Sequence, residues 1–200
     1  MPRPRRFDEY VLLDGAQELF WKRGYEQTSI DDVARVTGVG NGSIYAAYGS
    51  KLGLFVAVFR RYCAGRVALV ESVVATEHGD FAAVVAGFLE AIVVDCTGRD
   101  DRRGCLMLNG LAELSARFPD VGVIGYEAMA RMNDVLAVRV RSAIEANEIR
   151  LDPDEAYAVG AHLVVVSQGL INLSRIGVSP DELRSIAAAS VRMTAGLRAA

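Results

Sequence analysis

The chain has 200 residues, 52% of them hydrophobic, which excludes disorder as the main state and allows one ordinary domain or two small ones. A net charge of −3 argues against a generally basic coat protein for nucleic acid, but the charge is unevenly placed: residues 1–62 carry nine Lys and Arg against seven Asp and Glu, and residues 63–200 carry thirteen against eighteen. The three cysteines, Cys63, Cys96 and Cys105, form no CxxC pair and, with no signal peptide expected, predict a reducing, cytoplasmic compartment.

The amino terminus starts positively, but Asp8 and Glu9 interrupt any apolar run that a secretory segment would need. Apolar residues then recur at helical spacing over 7–22, where Leu12, Ala16 and Leu19 face a small core that Phe20 and Trp21 complete. After Gly24 comes "TSIDDVARVTGVGNGSIYAAYGSK", residues 28–51, broken by Gly38, Gly40, Gly42 and Gly49. Glycine costs about 1 kcal/mol in a helix interior, so such a cluster serves turns or close approaches. Ser29 with Asp32 approximates a capping box, and Ile30, Val33 and Ala34 share one face of a short helix. Gly38 ends that helix in a left-handed turn, Val39 plugs the angle, Asn41 or Ser43 starts the next helix, and Ile44 returns to the core. This is the spacing of a helix-turn-helix.

Further helical periods follow at 50–76, 80–96, 104–117, 121–147, 154–175 and 180–198, with Asp154 and Ser179 as candidate caps and no alternating β-branched run. An all-α chain is predicted. Residues 156–174 contain no Asp, Glu, Lys or Arg, yet His162, Ser167, Gln168 and Asn172 recur through them and no basic flank adjoins. A buried or subunit-interface helix is expected there, and no membrane span.

Residues 15–55 resemble the DNA-binding domain of the TetR family of transcriptional regulators, on Gly24-Tyr25, Thr28-Ser29-Ile30, Tyr45, Tyr48 and Ser50-Lys51. The resemblance implies a three-helix helix-turn-helix DNA-binding domain at 1–50 and a helical effector-binding and dimerisation domain at 51–200. It implies a cytoplasmic homodimer, joined through 154–175 and 180–198, on a near-palindromic double-stranded DNA operator. Such proteins are most often repressors released by a small-molecule effector. Close helix approach at that interface is expected from Gly160, Ala161, Ala187, Ala188 and Ala189.

By residue type, Thr28, Tyr45 and Lys51 can donate to phosphates, as can the amides opening the helix at Ser50. Asn41 suits adenine, Ser43 is permissive, and Gly40 and Gly42 let backbone approach the duplex. Tyr48, one turn after Ile44, fits a core aromatic better than a DNA contact. The segment "RPRR" at 3–6 reads equally as a groove-binding arm or a solvated tail. Asn41, Ala46 and Ala47 stand where the family often has basic, polar or histidine residues, which leaves fewer direct base contacts.

Phe59, Tyr62, Phe88, Met107, Tyr126, Met129 and His162 are candidate linings for an apolar or aromatic effector, although each alone fits plain core, and His162 a satisfied buried histidine. In "DDRRGCLMLNGLAEL", residues 100–114, Cys105 is expected in a helix's first turn, where the dipole, Arg102 and Arg103 favour a thiolate. Asn109 shares its face and can hold a bound group. Gly-Cys-Leu followed by Asn resembles a branch of TetR-like regulators, some of which sense electrophiles; the alternative is a small buried residue. An enzyme with Cys105 as nucleophile is the competing class, but Glu113 lies two turns away and both histidines are distant. The histidines and cysteines lack ligand spacing, so neither metal nor cofactor is expected.

Overall fold

The computed structural model describes residues 7–196. Among them are helices α1 (Glu9–Arg23), α2 (Ile30–Thr37), α3 (Asn41–Tyr48), α4 (Lys51–Thr76), α5 (Phe81–Thr97), α6 (Leu106–Leu114), α7 (Pro119–Glu145), α8 (Ala156–Arg175) and α9 (Pro180–Ala195), with no strand. The all-α expectation therefore holds. Arg3–Arg6 and residues 197–198, which figured in the sequence reading, lie outside the described residues.

The caps show why helices begin where they do. Asp8 accepts the Tyr10 amide, and Ser29 and Asp32 make a full capping box; so do Ser179 and Glu182. Asp154 caps nothing: Asp152 caps instead, boxed with Glu155, and opens a 3₁₀ turn, Pro153–Glu155, that leads into α8. Cys105 also falls differently, one residue ahead of α6.

The chain packs as two compact units. One contains the residues through Ala64 together with Leu106–Gly125; the other contains Gly65–Cys105 and the residues from Tyr126 onward. The unit holding the helix-turn-helix thus runs past residue 50 and recruits α6 from far along the chain.

In the first unit, Leu12, Ala16, Phe20, Val33, Ile44, Leu54 and Phe55 are buried, each large one contributing about 1.5–3 kcal/mol by leaving water. Phe55 meets the edges of Phe20 and Tyr25 at 5.2 and 5.3 Å between centroids and stacks with Phe59 at 5.5 Å. Gly110 on α6 admits these rings, since a Cβ there would stand 2.7 Å from Phe59. Trp21, half-buried, rests edge-on against Tyr62 at 5.1 Å.

In the second unit, α5 buries Phe81, Val84, Val85, Phe88, Leu89, Ile92 and Val93, and packs against α8 and α9. The span Pro153–Arg175 is long and apolar enough to cross a membrane, but one face of α8, including Gly160, Leu163, Val164, Leu170 and Ile171, is buried within this unit. Gly160 does not serve the expected subunit interface: a Cβ there would meet the Asn133 carbonyl oxygen at 2.8 Å and the Ala137 amide at 2.9 Å, so α7 and α8 touch backbone to backbone. Ala187 is likewise buried inside the unit, whereas Ala161 and Ala189 are half-buried and Ala188 is exposed.

Candidate nucleic-acid interface

The turn between α2 and α3 is set by backbone conformation. Gly38 adopts φ +71° and returns its amide to the Ala34 carbonyl at 2.9 Å, a geometry that a side chain would strain. Val39, 7% exposed, plugs the angle between the helices. Gly40, at ordinary negative φ, caps α3 with no side-chain hydrogen bond. Ile44 is fully buried while Gly42, Ser43, Tyr45 and Ala46 on other sides of α3 are exposed. Packing with α1 is close as well, since a Cβ at Gly15 would meet the Thr37 methyl at 2.4 Å.

The capping box that starts α2 has an electrostatic signature. Asp32 is held down at about 2, chiefly by the Ser29 hydroxyl, then by the Ser29 amide, with Arg35 adding to both. A depressed carboxylate contributes stability that is present above its unfolded value, near 4, and that is lost as pH falls through about 2. A nuclear magnetic resonance titration should place the Asp32 midpoint at about 2 in the native chain and higher in Ser29→Ala. An unchanged midpoint in the variant would remove Ser29 as the cause.

Several expected DNA contacts are already engaged. Thr28 is corrected: it is 1% exposed and its hydroxyl donates to the Gly24 carbonyl at 2.8 Å, so it stabilises the α1–α2 loop and cannot reach a phosphate from there. Tyr48 is half-buried and its hydroxyl donates to Glu9 at 2.8 Å, tying α3 to α1. Lys51 donates to the Tyr25 carbonyl at 3.0 Å with its ammonium 4.2 Å from that ring's centroid. Asn41 donates to Asp31 on α2. Tyr45 remains 50% exposed, and Ser50 accepts the Gly53 amide at 2.9 Å. Cβ positions at Gly40 and Gly42 face open space, so nothing within the protein demands glycine at either.

Sequence reasoning missed Gly53, whose Cβ would fall 2.0 Å from the Tyr48 carbonyl oxygen. The signal was present as a glycine in a helix's first turn, where propensity alone disfavours it.

The candidate effector residues are divided between the units. Phe59, Tyr62 and Met107 are buried in the first, and Asn109 is half-buried there. In the second, Phe88 is 1% and Cys105 4% exposed, and Met129 is half-buried, its sulfur 3.4 Å from the Gln168 amide nitrogen. Tyr126 and His162 are corrected: Tyr126 is 70% exposed and His162 faces outward on α8, because each lies on the helix side away from its unit's core. Burial, rather than charge, governs the thiol at Cys96, whose pKa is raised.

Residues 12–58 match the family described as bacterial regulatory proteins, tetR family, and residues 83–190 match the tetracyclin repressor-like C-terminal domain. The chain is 30% identical over 191 residues to the HTH-type transcriptional repressor ComR of Escherichia coli (strain K12), covering 96% of this chain and 90% of that protein. With the HTH-type transcriptional repressor BdcR of the same organism it shares 27% identity over 187 residues, 93% and 88% of the two chains. A cysteine mutant of the regulator CifR, solved in complex with a 26-base-pair double-strand operator DNA, superposes with a TM-score of 0.80 at 25% identity, over 95% of this chain and 98% of that one.

Proposed function

This chain belongs to the TetR family of bacterial transcriptional regulators, and from that premise we propose that it is a cytoplasmic repressor that binds a near-palindromic operator as a homodimer and is released by a small apolar or electrophilic effector. The observation that carries the DNA-binding reading is α3, anchored inward by Ile44 and presenting Gly42, Ser43, Tyr45 and Ala46 outward. Open space at Gly40 and Gly42 lets a duplex approach the backbone, with Tyr45 and Lys51 as phosphate donors and Asn41 as base reader. The named relatives ComR and BdcR are repressors, and CifR binds operator DNA.

The homodimer is supported by the outer side of α8. Ala158, His162, Val165, Gly169 and Asn172 on α8 and Ile176 at its C-cap are all exposed and fall at alternating spacings of four and three residues, the repeat of a helix-pairing seam. Val165 is 63% and Ile176 78% exposed within this chain. One helix-turn-helix reads only a short half-site, so a symmetric pair supplies the needed specificity. Within the first unit an apolar effector would meet the buried Phe59, Tyr62 and Met107 and the half-buried Asn109; the second unit separately offers the buried Phe88 and, to an electrophilic effector, Cys105.

A gel-shift with the DNA upstream of the chain's own reading frame tests this. Lys51→Ala should weaken binding to all sequences alike and reduce the salt slope by about 1, whereas Asn41→Ala should relax preference at one base position by roughly 1–3 kcal/mol. No shift at any salt concentration would sink the reading. A thiol-reactive electrophile added to the native chain and to Cys105→Ser separates the two effector classes: release in the native chain alone assigns the thiol.

A further inference from the structure

We propose that Glu113 is a positioning residue for DNA binding, acting through Tyr25 on Lys51. The role rests on the regulator reading above and adds a route by which α6 sets a phosphate-contacting amine.

The loop between α1 and α2 is held by a residue 88 positions beyond Tyr25. Glu113 accepts the amide of Tyr25 on one carboxylate oxygen and the amide of Glu26 on the other, each at 3.3 Å. Successive amides turned toward one point make a small anion nest, and the carboxylate fills it. Gly24 makes the approach possible: at φ +80° it turns the chain, and a Cβ there would stand 3.2 Å from the Glu113 carboxylate. Two further contacts from the segment after α6 act on the same loop, an ion pair from Arg117 to Glu26 and the Phe118 ring edge-on to Tyr25 at 5.8 Å.

The other end of Tyr25 carries Lys51. Its carbonyl accepts the Lys51 ammonium at 3.0 Å, and its ring lies 4.2 Å beneath the same nitrogen. An ammonium has three donors, so two remain for phosphate oxygens while the third fixes the head group in place. Lysine is otherwise a flexible point charge, and holding it before DNA arrives lowers the entropy lost on binding. With the amide of Tyr25 held by Glu113 and its carbonyl holding Lys51, the position of α6 passes to Lys51 through one residue.

The test measures affinity for a labelled duplex from the chain's own upstream region, at several salt concentrations, for the native chain, Glu113→Ala, Glu113→Gln, Lys51→Ala and the double variant Glu113→Ala/Lys51→Ala. Amide hydrogen exchange at Tyr25 and Glu26 is followed in parallel. Glu113→Ala should bind about tenfold more weakly and show the same fall of about 1 in salt slope as Lys51→Ala. It should cost little more once Lys51 is gone, and both amides should exchange faster. Glu113→Gln, which keeps an accepting oxygen, should lie between native and Glu113→Ala. Native-like affinity of Glu113→Ala, full additivity with Lys51→Ala, or unchanged exchange at both amides would overturn the role. A native chain that binds no duplex ends the regulator reading and this role with it; native binding with indifferent variants ends the role alone.

Discussion

Gly53→Ala is expected to abolish operator binding and to lower the melting temperature by several degrees, although it adds a single methyl to a helix. The methyl carbon would fall 2.0 Å from the Tyr48 carbonyl oxygen and 3.2 Å from its carbon. That oxygen belongs to the last residue of α3 and already accepts the Ser50 amide at 2.8 Å, while Ser50 holds the Gly53 amide at 2.9 Å. The blocking atoms are backbone on both sides, so no rotamer change relieves the clash and α3 must move away from α4. Overpacking of this kind costs typically about 1–3 kcal/mol, and more where backbone must shift. Function suffers further because the displaced elements carry Tyr45 and Lys51. Gly65→Ala in the same helix is the control: open space surrounds its Cβ, and alanine's helix propensity should stabilise the chain by up to about 1 kcal/mol. Thermal melts and gel-shifts of the two variants decide the matter. Equal behaviour of Gly53→Ala and Gly65→Ala would refute the close approach of Gly53 to the Tyr48 carbonyl at the α3–α4 junction.

Val165→Glu is expected to leave the chain folded, convert the proposed homodimer to a monomer and weaken operator binding by more than about a hundredfold. Val165 lies mid-way along the exposed four-three stripe of α8 and is 63% exposed within the chain, so a carboxylate there costs the isolated fold little. In a symmetric pair each copy adds one charge to a desolvated seam, and an unpaired buried charge costs several kcal/mol. A monomer then engages one half-site at a time. Val138→Glu, at an α7 position 55% exposed and outside the stripe, should change neither property. Sedimentation at micromolar concentration and gel-shifts measure both; a Val165→Glu chain that stays dimeric places the interface elsewhere.

The helices and their order were legible in the sequence, as was the helix-turn-helix, because those signals are local. The Ser29–Asp32 and Ser179–Glu182 boxes act across three residues, and Gly38 acts on its own φ. Apolar periodicity placed the start of α4 within one residue but α7, Pro119–Glu145, two residues too late at both ends, since periodicity reports a helix and not its limits. Helix ends set by loop geometry were less readable: Asp152 caps in place of Asp154, and Cys105 precedes α6 instead of entering it.

Residue type and spacing were enough to determine an all-α chain with a helix-turn-helix near its start, since hydrogen bonding and capping within a few residues depend on little else. Which polar groups remain available was decided by the tertiary fold, through partners within one loop, as Gly24 is for Thr28, and far along the chain, as Glu113 is for Tyr25. Thr28 could donate to a phosphate by type, yet its hydroxyl is buried on the Gly24 carbonyl; Tyr126 and His162 could line a cavity by type, yet both face outward. Gly53 and Gly160 look alike in sequence to glycines with open space around them, such as Gly42 and Gly65, and differ only in having another segment's backbone against their α-carbons. Glu113 serves Tyr25 and Glu26 because the fold brings α6 to the α1–α2 loop. A side chain's partner across such a separation is fixed by the packing of whole helices, which no short window of residues encodes.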